Sequence, residues 1–178
     1  MKRIMVIGCA GAGKSTFSRA LSRLLPALEL IHLDQVYWRA NWEEPLHADW
    51  EKKVQQLVTK ETWIMDGNYG RTMDLRIARA DTIIFLNYAT MTSLYRVCRR
   101  TWKYWKTTRP EMTEHCPERF DFNFLQYVAL FNRTRRPQLL QKLNNLTTNQ
   151  QVFILTNDKA VKAFLQQVSK KIINATPS

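Results

Sequence analysis

Eight residues near the start of the chain, GCAGAGKS at 8–15, put three glycines, a lysine and a hydroxyl into one short run. The spacing is a glycine, four residues, then Gly-Lys-Ser, the pattern of a phosphate-binding loop. Gly8, Gly11 and Gly13 let the backbone turn so that successive N–H groups face one anion. Lys14 can then reach the terminal phosphates, and the Ser15 hydroxyl can hold magnesium. Gly8, Ala10, Gly11, Ala12, Gly13, Lys14, Ser15 and Thr16 are therefore expected around ATP and Mg2+.

Two carboxylates close short apolar runs further on: Asp34 in HLDQVYWRANW and Asp66 in WIMDGNYGR. Asp34 is placed to take the proton of an acceptor hydroxyl, and Asp66 to face the magnesium shell with Ser15. Both are also ordinary turn residues, and that alternative stays open. Asn68 and Arg71 follow Asp66 and are expected at the acceptor. Tyr37, Trp38, Trp42 and Trp50 crowd the stretch after Asp34, where they either stack a flat ring or pack the core. Arg39 can pair with an acceptor phosphate or carboxylate. Of the many arginines beyond residue 90, Arg96 and Arg100 are expected to act on the transferring phosphoryl group, the rest serving surface or other anions.

These groups need elements to carry them. Ile4–Ile7 is an unbroken apolar run, as in a strand buried on both faces, and Phe17, Ala20, Leu21, Leu24 and Leu25 then recur at helical spacing. Further strands are expected at 28–33, 63–65, 82–86 and 152–155, with helices at 48–58 and from Asp158, read as its N-cap. Strands alternating with helices define an α/β fold with a parallel sheet. The interval 90–146 holds no strand. It reads as a basic helical lid within one domain, 1–178, with Leu94, Cys98, Trp102 and Trp105 as the apolar stripe of its first helix. An irregular tip, TTRPEMTEHCPERFD, leads to a second helix marked by Phe124, Tyr127, Val128 and Phe131.

Composition limits the alternatives. The chain has 178 residues, 45% of them hydrophobic, which suits one globular domain. No apolar run approaches a membrane span. Lys2-Arg3 ahead of Ile4–Ile7 and Cys9 imitates an export signal, but such a signal needs an apolar core of about 7–15 residues. Three scattered cysteines suit a reduced cytoplasm. Net charge is +12, and residues 88–142 carry eleven Lys and Arg against four Asp and Glu, which calls for an anionic partner.

The phosphate loop, LDQVYWRANW, WIMDGNYGR and ADTIIFLN together resemble the P-loop nucleotide and small-molecule kinases, adenylate kinase among them. The segment RPEMTEHCPERFDFNFLQYV, 109–128, is similar to one that marks the bacterial "topology modulation" proteins. The resemblance covers about residues 2–170. It implies a three-layer fold with a five-stranded parallel sheet in the order 2-3-1-4-5, a mobile lid, and adenine lying against the loop at Asn157. Asp34 matches an acceptor-facing Asp, but His32 stands where some of those kinases carry a second Asp. The expected function is an ATP-dependent kinase of a small hydroxyl- or phosphate-bearing acceptor. The alternative is a nucleotide-regulated nucleic-acid binder, using the aromatic and basic lid.

Overall fold

The computed structural model describes residues 1–146 and 149–175. Five strands form one sheet: β1 (Arg3–Gly8), β2 (Glu29–His32), β3 (Trp63–Asp66), β4 (Thr82–Leu86) and β5 (Gln151–Leu155). Their order is β2-β3-β1-β4-β5 and every pairing is parallel, with helices on both sides. Ile4, Met5, Val6 and Ile7 of the central strand are wholly buried, which is why that run lacks the polar alternation of a half-exposed strand. In register, Asp66 lies level with both Val6 and His32. The first three strands thus finish in a row, and whatever follows them meets on one edge.

Helix α1 (Lys14–Leu24) springs from Gly13, whose φ of 87° lies in the left-handed region. Its Phe17 meets Phe164 of α8 (Asp158–Ala175) at 5.9 Å, and Phe164 meets Phe153 of β5 at 4.8 Å. The other helices are α2 (Leu33–Tyr37), α3 (His47–Val58), α4 (Met73–Arg79), α5 (Thr90–Lys103), α6 (Phe122–Thr134) and α7 (Arg136–Asn144). Among the described residues no helix is long and apolar enough to cross a membrane.

Three sequence expectations need correction. Asp34 lies in the first turn of α2 and not on a strand end, because the fully buried Leu33 carries the chain straight into a helix. The cap of α8 is Asn157, whose Oδ1 accepts from Ala160 N–H at 2.9 Å, and Asp158 is its first helical residue. Pro137 sits in the first turn of α7, where a missing N–H costs nothing.

The third correction concerns α5. Its buried residues are Ser93, Val97 and Thr101, while Cys98 is exposed, Trp102 is 81% exposed and Trp105 lies beyond the helix end. The reason is what α5 packs against. A Cβ at Gly11 would sit 2.3 Å from the Ser93 carbonyl oxygen and 3.0 Å from Val97 Cγ2. A helix lying directly on phosphate-loop backbone admits only small side chains on that face, and the large rings turn outward. Gly11 also has φ +79°. Gly11→Ala is therefore expected to cost roughly 3 kcal/mol through backbone strain and displacement of α5. Thermal unfolding should show a drop of about 6–12 °C.

Candidate active site

The phosphate loop is held from outside by one side chain. Gly8 N–H donates to Asn68 Oδ1 at 3.0 Å, and Asn68 Nδ2 donates back to the Gly8 carbonyl at 2.8 Å. Lys14 Nζ donates to the carbonyls of Gly8 and Cys9 at 3.0 and 3.2 Å. Burial pushes the Lys14 ammonium below its ordinary pKa, while Asp34 and Asp66 pull the other way. Both carboxylates therefore lie close enough to the lysine to matter electrostatically. Burial also pushes the Cys9 thiol up to about 11.

The segment after β3 connects this loop to Asp34. Arg76 on α4 is fully buried and donates to the carbonyls of Gly67 at 2.8 Å, of Asn68, and of Tyr69 at 3.1 Å. Burial pushes its guanidinium down to about 9. Held in this way, Tyr69 adopts a left-handed φ of 35° and its hydroxyl donates to Asp34 Oδ1 at 2.7 Å. Burial and the neighbouring Asp34 carboxylate raise the Tyr69 pKa well above the usual phenol range, so it remains a donor. Its ring packs on Tyr37 and Trp50 at 4.6 and 5.0 Å. Asp66 bonds His32 Nδ1 through Oδ1 at 2.8 Å, while its other oxygen, Oδ2, is buried without a hydrogen-bond partner.

Above the loop, the arginines are paired with carboxylates. Arg96 meets both Asp158 oxygens at 2.8 and 2.7 Å and lies 4.7 Å from the centroid of Tyr88. Burial opposes its charge, but Asp158 and Tyr88 together hold its pKa above the ordinary value. Glu118, 5% exposed, pairs with Arg109 and lies 3.4 Å from Arg100, while Arg19 pairs with Glu111. The lid tip is no free loop. Gln35 Nε2 donates to the Pro110 carbonyl at 2.8 Å, and Thr113 Oγ1 lies 2.6 Å from the Trp38 carbonyl. Asn41 N–H donates to His115 O at 2.9 Å, and Trp42 Nε1 to Pro117 O at 3.0 Å. Cys116 is buried beneath these contacts, its thiol 3.2 Å from the Arg39 carbonyl.

The result is a cleft of about 830 Å3. Of the residues singled out in the sequence, Ala10, Gly11, Gly13, Lys14, Ser15, Thr16, Asp34, Trp38, Asp66, Asn68, Arg96 and Arg100 line it. Ala12 lines an adjoining hollow of about 470 Å3 between α1, α5 and α8. Gly8, Tyr37, Arg39, Arg71 and Asn157 line neither hollow. Tyr37 donates to Glu44 at 2.9 Å, Arg39 meets Glu43 at 3.6 Å, Arg71 is exposed and Asn157 caps α8. Sequence reasoning missed His32 as the partner of Asp66, Arg76, and the carboxylates Glu111 and Glu118. Arg76 lies in DLRIAR, which reads as a surface helix, and only the His32 departure offered a hint.

Comparison with known proteins places this geometry in a class. The chain has the P-loop kinase-like NTPase fold. A shikimate kinase from Acinetobacter baumannii in complex with shikimate superposes with a TM-score of 0.62 at 18% identity, over 100% of this chain and 96% of its own. A shikimate kinase from Bacteroides thetaiotaomicron gives 0.52 at 18%, over 97% and 98%. A gluconokinase from Sinorhizobium meliloti gives 0.50 at 15%, over 99% and 98%. No protein-family model matches the chain, and no curated protein does. The narrower resemblance of residues 109–128 gains no support from these comparisons.

The Asn68 clamp has a measurable consequence. Asn68→Ala removes two hydrogen bonds from Gly8 and is expected to weaken nucleotide binding by up to roughly thirtyfold, at about 1 kcal/mol per bond. Titration calorimetry with ATP and magnesium checks this.

Proposed function

We propose that the protein is a magnesium- and ATP-dependent kinase of a small hydroxyl-bearing acceptor. One observation carries the reading: Lys14, Asp34 and Asp66 line a single cleft at the head of α1, and Asp66 Oδ2 has no hydrogen-bond partner. The loop N–H groups and the α1 N-terminus favour phosphate oxygens, with Lys14 at the terminal groups. The Ser15 hydroxyl and Asp66 Oδ2 fit magnesium, which takes one or two protein oxygens and fills its shell with phosphate and water. When bound, the ion neutralises charge on the phosphates. The nucleoside end fits the smaller hollow beside Tyr88 and Asp158. The acceptor oxygen forms a bond to the γ-phosphorus as the bond to the β-phosphate oxygen breaks. ADP leaves, and Asp34, oriented by Tyr69, takes the hydroxyl proton. Three free cysteines suit a reducing compartment, and we place the protein in the cytoplasm.

Lys14→Ala should lower turnover about 10²–10³-fold, the range for losing one donor to a transferring group. Asp34→Asn should lower it about 10²–10⁴-fold with ATP affinity almost unchanged. Coupled-assay kinetics over a broad acceptor panel, with calorimetry for ATP, measure both. ATP binding without transfer to any acceptor would sink the kinase reading.

A second reading is supported by the outer side of α5. Met91, Tyr95, Cys98 and Trp102 are exposed there, and Phe122 at the start of α6 is 85% exposed. From Thr82 to Pro110 the sequence has six Lys and Arg and no acidic residue. Exposed rings beside positive charge are what single-stranded nucleic acid stacks upon. Under this reading a single-stranded oligonucleotide binds with steep salt dependence, and Arg99→Ala lowers the slope by about one charge. Filter binding across a salt series reads it out, and salt-insensitive or absent binding removes it.

A further inference from the structure

The protein carries a net charge of +12, yet the acceptor end of its cleft is acidic. Six basic and six acidic side chains line the whole cleft. The basic ones fall into two groups by position. Lys14, Arg96 and Arg100 cluster at the phosphate loop, and Arg96 Nη1 lies 3.8 Å from where a Gly13 Cβ would stand. Toward the lid tip, Arg19 is taken up by Glu111 and Arg109 by Glu118. Outside those pairs, Glu44 and Asp121 stand against Arg119 among the lining residues, while Asp34 lies close enough to Lys14 and Arg100 to act on both. Arg39 does not reach in, since it faces Glu43 outside the lining. A carboxylate or phosphate acceptor would enter there against net negative charge.

The same end has a flat apolar corner. The rings of Trp38 and Trp42 meet at 74° with centroids 5.3 Å apart, and the bond from Trp42 Nε1 to Pro117 O fixes the second ring. Buried Met112 lines the cleft alongside them. Beside the corner, Glu44 is exposed and accepts from the Tyr37 hydroxyl through one oxygen, which leaves carboxylate capacity for a ligand. A ring face and a carboxylate together favour a cation, by ring quadrupole and by charge.

We propose that the acceptor is a hydroxylated amine with a flat ring or ring-like face. Its ring lies on Trp38 and Trp42, its protonated nitrogen faces Glu44, and its hydroxyl faces Asp34. The assignment rests on the kinase reading only for which end of the cleft receives the acceptor.

The test reads binding, so that it does not depend on turnover. Calorimetry is run on the full chain with magnesium and a non-hydrolysable ATP analogue. Two probe sets vary charge on a common skeleton: glucosamine, glucose and gluconate; and pyridoxamine, pyridoxine and 4-pyridoxate. The expected order in each set is amine, neutral, carboxylate, with the ring-bearing set binding more tightly. Glu44→Gln should weaken the amines by about two- to fivefold, the scale of a solvent-screened charge pair, and leave the neutral compounds unchanged. Trp42→Leu should weaken the ring-bearing amine by a similar factor. Equal or tighter binding of the carboxylates overturns the proposal, as does absence of amine binding at millimolar concentration. Amines that bind in this order and are never phosphorylated count against the kinase reading and uphold this one. Efficient phosphorylation of a carboxylate acceptor does the reverse.

Discussion

A buried guanidinium stays charged at neutral pH even when its pKa falls to about 9, so its donors must be met by oxygen. Arg76 takes that oxygen from three consecutive carbonyls, those of Gly67, Asn68 and Tyr69. The site depends on that choice. With the carbonyls gathered inward, the Asn68 side chain grips Gly8 and the Tyr69 hydroxyl grips Asp34. The phosphate loop, which would receive the donor, and the carboxylate that would receive the proton are thereby referenced to one cation. Neither touches it.

The lid is a second constraint of a different kind. Its tip adds no strand to the sheet and is held by bonds to the backbone of Trp38 and Asn41 and to the side chains of Gln35 and Trp42. Asn41, Trp42 and His115 all have positive φ, a conformation that costs about 1–3 kcal/mol per residue and persists only where surroundings enforce it. The segment that carries Trp38 and Trp42 is therefore shaped by the lid as much as by β2. The lid arginines are also held by carboxylates, Arg96 by Asp158 and Arg100 by Glu118. A triphosphate arriving there would exchange one anion for another, which favours selectivity over raw affinity.

How much of this could be read in advance follows from range. The phosphate loop and the buried strands are local patterns, and they appeared where spacing put them, with Asp66 closing β3. The buried side of α5 could not be read that way. Leu94, Cys98 and Trp102 do recur at helical spacing, but the helix lies on glycine backbone, and contact with backbone favours Ser93, Val97 and Thr101 over larger residues. Arg76 was illegible for the same reason: nothing in DLRIAR says that three carbonyls wait above it. The paired state of Arg19, Arg96 and Arg109 depends on partners 92, 62 and only 9 positions away respectively, and no count of charges reveals it.

The thiols divide along the same lines. Cys9 stands inside the phosphate loop, beside a lysine and just ahead of a helix, surroundings that commonly activate sulfur. Its burial wins instead, and with a pKa of about 11 only about one molecule in ten thousand carries the thiolate at neutral pH. Cys116 is sealed under the lid tip, and Cys98 alone is exposed. An alkylating reagent or oxidant thus meets this protein on the outer side of α5. The phosphate loop is chemically quiet, and a single probe attached at Cys98 would report on the lid without disturbing the cleft beneath it.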